Sequence, residues 1–312
     1  MNPYPFIHPK GPSLSTTYDA HDTYLLEGVL PYVDFIEITP DSIFRRRNGI
    51  SEIQPDILKD LLSVSRDVRF LVHGVGLSIG SWEGFDASYL DNLDLLLPHI
   101  DCAWHSEHLG YVKVGGDNLN TMLAVPRTDA MLELLIPRIK TIQSKYGMPF
   151  LLEHIVHLLP DYQPEYSDAG FLNLLTAETG CGLILDLYNL ECDAHNYGFD
   201  IESFLAELDL GAVREIHIAG GAEYLGYKLD IHSGKVADST LNWTRQALAH
   251  TPNAEAVTYE ILPEAVRLHG AQFVIDEVAR ISSYFNFTKH GHQNTSGNPA
   301  AADQNAAVLC AG

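Results

Sequence analysis

Short apolar runs, each closed by an acid or an imidazole, recur along the chain and are separated by longer segments of helical period. Gly182-Leu183-Ile184-Leu185-Asp186 and Phe150-Leu151-Leu152-Glu153 are apolar almost without a break. Such runs suit parallel strands covered on both faces, because a strand with one wet face would alternate. Strands are predicted over residues 12–16, 33–38, 69–73, 101–105, 149–153, 182–186, 213–218 and 256–260. Helical spacing puts Ile57, Leu58, Leu61 and Leu62 on one face of residues 54–64, and Leu90, Leu93, Leu96 and Leu97 on one face of 87–97. Residues 129–145, 168–179, 200–208, 241–249 and 263–284 continue the helical series, with a kink expected at Pro137. Strands alternating with helices in this way predict an α/β fold, a TIM-like (β/α)8 barrel. One domain is expected over residues 1–285. A flexible tail is expected over 286–312, too rich in Asn, Gly, Ala, Gln and Ser to bury a core.

Composition narrows the class. The 312 residues are 46% hydrophobic, enough for one barrel-sized core. The formal charge is −22, from 19 basic and 41 acidic residues. That field repels nucleic acid and anionic membrane surfaces, so neither is expected as a partner, while cations are favoured. Cys102, Cys181, Cys192 and Cys310 form no C-x-x-C pair and read as reduced thiols, as expected in the cytoplasm. MNPYPFIHPKGP lacks the pattern of a signal peptide, and no apolar run approaches the ~20 residues that span a bilayer.

In a (β/α)8 barrel the C-terminal strand ends meet at one mouth, where active sites lie. Glu37, His73, the His105-Ser106-Glu107-His108 run, Glu153, Asp186, His217 and Glu260 all fall at predicted strand ends. Asn189 follows Asp186 by three residues, and Asp230 and His232 lie in the loop after His217. Taken singly, Asn189 is a helix cap or turn residue, Glu153 a salt-bridge partner and His73 a satisfied core histidine. Jointly, caps and ion pairs give no reason for acids and imidazoles at almost every strand exit. Alternation puts His105 with Glu107 on one face and Glu215 with His217 on one face, and it places His108 beyond its strand. Between His105 and His108 the residues alone leave the ligand open. Gly74 and Gly76 after His73 suggest a turn that something approaches closely. A set without cysteine suits iron, manganese or zinc, and nine candidates at ~4–6 ligands per ion imply two or three ions.

Val-Asp-Phe-Ile-Glu-Ile, His73-Gly-Val-Gly-Leu-Ser-Ile-Gly-Ser, Trp-His-Ser-Glu-His-Leu, Leu-Leu-Glu, Thr-Gly-Cys-Gly-Leu-Ile-Leu-Asp-Leu-Tyr-Asn, Glu-Ile-His-Ile-Ala-Gly and Asp-Ile-His occur in that order. In this ordered set the chain resembles the multinuclear non-heme iron-dependent oxidative enzymes, the family of the methanobactin-forming oxidase. The resemblance covers about residues 11–284. It implies two or three irons of mixed Fe(II)/Fe(III) state, O2 as co-substrate, and oxidation of a ribosomally made precursor peptide, usually at cysteine. It also implies a small partner protein that captures the leader peptide. Carried over position by position, the metal ligands are His73, His108, Glu153, Asp186, Asn189, His217, Asp230, His232 and Glu260. His73, Glu153, Asp186 and His217 are expected nearest the chemistry, and His105 falls outside the ligand set. The chain departs from the family pattern at Asp41-Ser42, His154, Tyr188 and Gly221.

Two other readings stay open at this stage. Sugar isomerases and metal-dependent hydrolases also hold His, Asp and Glu clusters at a barrel mouth, where the metal acts as a Lewis acid. A non-catalytic metal store is the third.

Overall fold

A computed structural model describes residues 11–18, 22–47, 50–159 and 163–290. Eight parallel strands close a barrel: β1 (Ser13–Thr17), β2 (Phe35–Ile38), β3 (Arg69–Gly74), β4 (Cys102–His108), β5 (Phe150–Glu153), β6 (Gly182–Asp186), β7 (Val213–Ile218) and β8 (Ala256–Tyr259). Each pairs with its sequence neighbours, and β1 closes the ring against β8 with Ser13 opposite Ala256. The barrel is thus the predicted (β/α)8 fold. Its strands are shielded on both faces, by the helical layer outside and by packed side chains inside.

The interior explains the apolar-then-polar runs. Successive strand side chains point to opposite faces, so i and i+2 share one. Phe35, Leu71, Trp104, Leu151, Ile184 and Ala256 fill the barrel as one buried apolar cluster. Two residues further along the same strands stand Glu37, His73, Ser106, Glu153, Asp186 and Thr258. The apolar layer is a plug, and the polar layer is its upper surface.

Several elements differ from expectation for identifiable reasons. β4 runs to His108, so that histidine ends the strand instead of lying beyond it. The predicted helix over 263–284 is two helices, Pro263–His269 and Ala271–Phe285, broken at Gly270 with φ 84°. Pro137 sits within a single helix, Asp129–Tyr146. The helices Thr23–Val29 and Leu187–Tyr197 were not predicted, nor were three two-stranded hairpins beyond β2, β4 and β7. Of the expected tail, Lys289 donates to the Leu30 carbonyl at 2.8 Å, and the backbone N–H of His290 donates to the Asp34 carboxylate at 3.0 Å. Residues 291–312, with His292 and Cys310, lie outside the described residues. Among the described residues Cys102, Cys181 and Cys192 are free thiols, and no helix is long and apolar enough to cross a membrane.

Candidate metal centre

The rings of His73 and His108 are fixed by their rear nitrogens. Ser106 Oγ donates to the Val72 carbonyl at 3.3 Å, so it accepts from His73 Nδ1 at 2.9 Å. The Gly74 carbonyl can only accept, so His108 Nδ1, 2.9 Å away, is the donor. Both histidines therefore present an unprotonated Nε2 to the mouth, the tautomer a metal ligand needs. The two Nε2 atoms lie 3.4 Å apart, and that of His73 is 3.0 Å from Glu153 Oε2.

Glu153 and Asp186 each divide their two oxygens between a support and the mouth. Asn189 Nδ2 donates to Glu153 Oε1 at 3.2 Å and to the His154 carbonyl at 3.3 Å. Asp186 caps the helix Leu187–Tyr197 by accepting from the Asn189 N–H at 2.7 Å. What remains is Glu153 Oε2, Asp186 Oδ2 and Asn189 Oδ1, all buried and without a hydrogen-bond partner.

The rest of the set comes from β7, the loop after it, and the end of β8. His217 Nδ1 is 3.1 Å from Glu260 Oε2 and 3.6 Å from Glu153 Oε2. His232 Nδ1 is 3.2 Å from Glu260 Oε2, and its Nε2 is 2.6 Å from Asp230 Oδ1. His232 holds φ at 35°, an uncommon value for a side chain with a Cβ. Flanking bonds hold it there: Leu262 N–H to the His232 carbonyl at 3.0 Å and Ser233 N–H to the Gly220 carbonyl at 2.6 Å. Strain of this kind persists where the surroundings over-determine a site.

Donor atoms around one ion with bonds of about 2.0–2.2 Å stand roughly 3.0–3.5 Å apart, the edge of an octahedron or tetrahedron. The spacings above cluster there, within groups of donors that converge without hydrogen-bond geometry. His73, His108 and Glu153 form one group and Glu153, Asp186, His217 and Glu260 a second, joined by Glu153. Asn189, Asp230 and His232 adjoin the second group. The residues therefore fit a polynuclear centre of nitrogen and oxygen ligands. A further cluster of similar spacing, Glu37, Glu215 and His217, does not fit an ion. Both Glu215 oxygens are already taken, Oε2 by Trp104 Nε1 at 2.8 Å and Oε1 by the Thr258 hydroxyl.

Electrostatics at the mouth follow from burial against mutual attraction. Burial pushes Glu153 up to about 7 and Asp186 well above the usual carboxylate range. Burial likewise lowers His73 and His108. It opposes the charged form of His217 too, but Glu37, Glu153 and Glu215 outweigh it and hold that imidazole well above its ordinary value. Glu260 is held well below its ordinary range, with His232 and His217 overcoming its burial.

The structure thus brings His73, His108, Glu153, Asp186, Asn189, His217, Asp230, His232 and Glu260 together. His105 is excluded on geometry, since with Glu107 it points outward from the barrel. There it is buried against Tyr89, Tyr146 and Phe150, and burial lowers it to about 3. Glu37 faces inward, level with Leu71, but unlike the other inward-facing strand-end residues it lies against Nε2 of His217, on the opposite side of that ring from Glu153 and Glu260. The glycines after His73 are crowded by this chain's own side chains: a Cβ on Gly74 would lie 1.9 Å from Glu107 Oε1, and one on Gly76 2.1 Å from Asp41 Oδ1. The departures at Tyr188 and Gly221 are coupled. A Cβ on Gly221 would meet Tyr188 Oη at 2.1 Å, and that hydroxyl donates to the Leu229 carbonyl at 3.2 Å. His154 packs on Phe204, away from the mouth.

Sequence reasoning did not single out His157, which pins the loop after Glu153. Its Nδ1 is 2.6 Å from Asp193 Oδ2 and its Nε2 3.1 Å from Asp168 Oδ1. Burial opposes its charge, but the two carboxylates outweigh burial and raise it to about 10. A folded-state value above the unfolded one of about 6.5 gives stability fully present below pH ~6.5 and lost as pH rises toward 10. The unfolding free energy is expected to fall by on the order of 2–4 kcal/mol across that window, with solvent screening counted. Chemical denaturation at several pH values checks this: His157→Gln should flatten the profile, and an unaltered slope would remove His157 as its source.

A family model described as RiPP precursor modification enzyme MbnB/TglH/ChrH matches residues 18–293. A UPF0276 protein of Rhizorhabdus wittichii is 32% identical over 213 residues, 68% of this chain and 73% of its own length. Another, from Anaeromyxobacter sp., is 34% identical over 208 residues, 67% of this chain and 71% of its own. Among solved structures, a xylose isomerase domain containing protein from Salmonella typhimurium is similar in fold at TM-score 0.57 and 13% identity, over 86% of this chain and 96% of that one. The IOLI protein with a bound zinc atom is similar at TM-score 0.54 and 15% identity, over 88% and 100%. At such identities the barrel alone is shared. The family match spans nearly all of the described barrel, polar mouth included, and the chain belongs to the family of RiPP precursor modification enzymes.

Proposed function

We propose that this enzyme is an iron-dependent, O2-consuming oxidase that modifies a residue, most often cysteine, of a ribosomally made precursor peptide. The single observation that best supports the reading is the set of buried, unpartnered donor atoms converging on the mouth. They are imidazole nitrogens and carboxylate or amide oxygens with no thiolate, a set acceptable to iron. In this reading His73, His108 and Glu153 hold one ion, Glu153, Asp186, His217 and Glu260 a second, and Asn189, Asp230 and His232 a third. Bound iron supplies the redox capacity to reduce O2 and oxidise the peptide.

The chain's own residues do the rest. Ser106 and the Gly74 carbonyl keep Nε2 of His73 and His108 free of protons. Asn189 holds Glu153 so that one oxygen serves two groups of ligands. The apolar plug of Phe35, Leu71, Trp104, Leu151, Ile184 and Ala256 keeps water out from below. Tyr188, tied to the Leu229 carbonyl, forms a wall beside His232, with ring centroids 6.1 Å apart. A small partner protein that delivers the precursor is part of the same reading.

Anaerobic purification, metal analysis and O2 uptake with a cysteine-containing precursor test it. Two or three irons per chain with oxygen consumed is the expected result, and Asp230→Ala should lose one ion while keeping the others. Full activity without oxygen on zinc or manganese would replace this reading with a Lewis-acid isomerase or hydrolase.

A further inference from the structure

Both nitrogens of His217 face carboxylates, as those of His232 do, but His217 stands on a barrel strand and has two of them on each side. Nδ1 looks up at Glu260 and Glu153, at 3.1 and 3.6 Å. Nε2 looks down at Glu215 Oε1 and Glu37 Oε2, each at 3.3 Å. His217, Glu215 and Glu37 are fully buried. Of the two lower carboxylates only Glu215 is fastened. Trp104 donates to one of its oxygens from β4, across the barrel interior, and Thr258 to the other from β8, the strand next to β7. Glu37 has no hydrogen-bond partner on either oxygen. Glu215 is two residues before His217 on the same strand, so alternation places it directly below the ring. Trp104 belongs to the apolar plug, which makes the plug itself the seat of this carboxylate.

The geometry points to Glu215, clamped by Trp104 and Thr258, as the positioning residue that accepts the Nε2–H of His217, keeps the proton on that nitrogen and so turns an unprotonated Nδ1 toward the mouth. The inference rests on the reading of His217 as a metal ligand. Outer carboxylates of this kind orient the ring and raise its basicity, and their loss weakens metal binding by about 10–100-fold. A group that merely filled space at this position would need neither charge nor two fixed donors. An amide here would leave one oxygen for Thr258 and His217 and set its NH2 against the Trp104 N–H, donor to donor.

The test uses the full chain loaded with Zn(II), a diamagnetic probe, and with Fe(II). Metal affinity is measured by competition with a chelator, and 15N-histidine NMR of the zinc form reports which nitrogen of His217 carries the proton. Wild type should show a protonated Nε2 and a metal-bound Nδ1. Glu215→Gln should lower affinity about 10–100-fold. Trp104→Phe and Thr258→Val, which leave the carboxylate but free one oxygen each, should lower it less and shift the His217 Nε2–H signal. Should Glu215→Gln not fold, those two variants decide. Wild-type affinity together with an unmoved Nε2–H signal in the folded variants would overturn the assignment, as would zinc on Nε2. These readouts are independent of peptide oxidation. Loss of zinc affinity in a protein that consumes no oxygen would keep this inference and end the oxidase reading, whereas iron-dependent oxidation with Glu215-independent affinity would do the reverse.

Discussion

Glu153→Gln is expected to empty the centre of metal while leaving the barrel folded. Its Oε2 is shared between the group containing His73 and His108, at 3.0 and 3.8 Å, and the group containing His217, at 3.6 Å. His73 also converges with His217 and Glu260, but Glu153 is the one carboxylate placed in both groups. Burial already pushes this carboxyl up to about 7, so much of it is protonated in metal-free protein near neutral pH. Glutamine copies that neutral form. Its carbonyl can keep the bond from Asn189, and its NH2 can donate to the free Nε2 of His73. The unfolding free energy of metal-free protein should therefore change by less than about 1 kcal/mol, the net worth of one hydrogen bond. Metal affinity should fall at least about 100-fold, beyond the usual cost of an outer-shell change, and activity with it. Metal analysis beside a denaturation curve separates the two effects. A folded Glu153→Gln protein with its full metal content would sink the bridging assignment.

Gly220→Ala should do the opposite, damaging the fold first and the centre through it. A Cβ at this position would lie 2.0 Å from the Lys235 carbonyl oxygen, 2.5 Å from its carbon and 2.9 Å from the carbonyl carbon of Gly234. Those are backbone atoms, so no rotamer change relieves the clash. The Gly220 carbonyl also receives the N–H groups of Ser233 and Gly234, at 2.6 and 2.9 Å. That pair of bonds turns the loop after β7 back on itself and returns Asp230 and His232 to the mouth. Forcing the strands of the loop apart should cost about 3 kcal/mol, at the upper end for overpacking. In a chain of this size that lowers the melting temperature by roughly 5 °C. The surviving protein should have lost the ion proposed for Asp230 and His232. Gly226→Ala in the same loop is the control. It has φ 81° but nothing within 4 Å of a Cβ, so it should cost only about 1 kcal/mol of backbone strain. Equal effects of the two substitutions would mean that the turn, and not the contact, decides.

Much of the centre was legible because a strand has a period of two. Leu71 and His73, Leu151 and Glu153, Ile184 and Asp186 each put a plug residue and a mouth residue on one face, and eight such strands can close only one way round. His105 shows where that reasoning stops. The run holds two histidines three residues apart; the family resemblance favours His108, and the register of β4 against its neighbours supplies the physical reason by showing which of them faces inward. β4 pairs its Ser106 with His73 and its His108 with Glu153, so His105 faces the helices. The helix Leu187–Tyr197 was hidden for a different reason. It starts directly at Asp186, where one residue ends a strand, caps a helix and keeps an oxygen for the mouth, and no separate start signal precedes it.

The sequence by itself determined the barrel and which residue types stand at its strand ends, because these follow from local periodicity and from the cost of burying an unpaired charge. Only the tertiary structure decided how the donors group, which oxygen of Glu153 or Asp186 is held and which is free, and that both oxygens of Glu215 are taken up by Trp104 and Thr258. Those depend on distances between strands far apart in the chain, such as Trp104 to Glu215, and on hydrogen bonds whose partners no spacing rule can name.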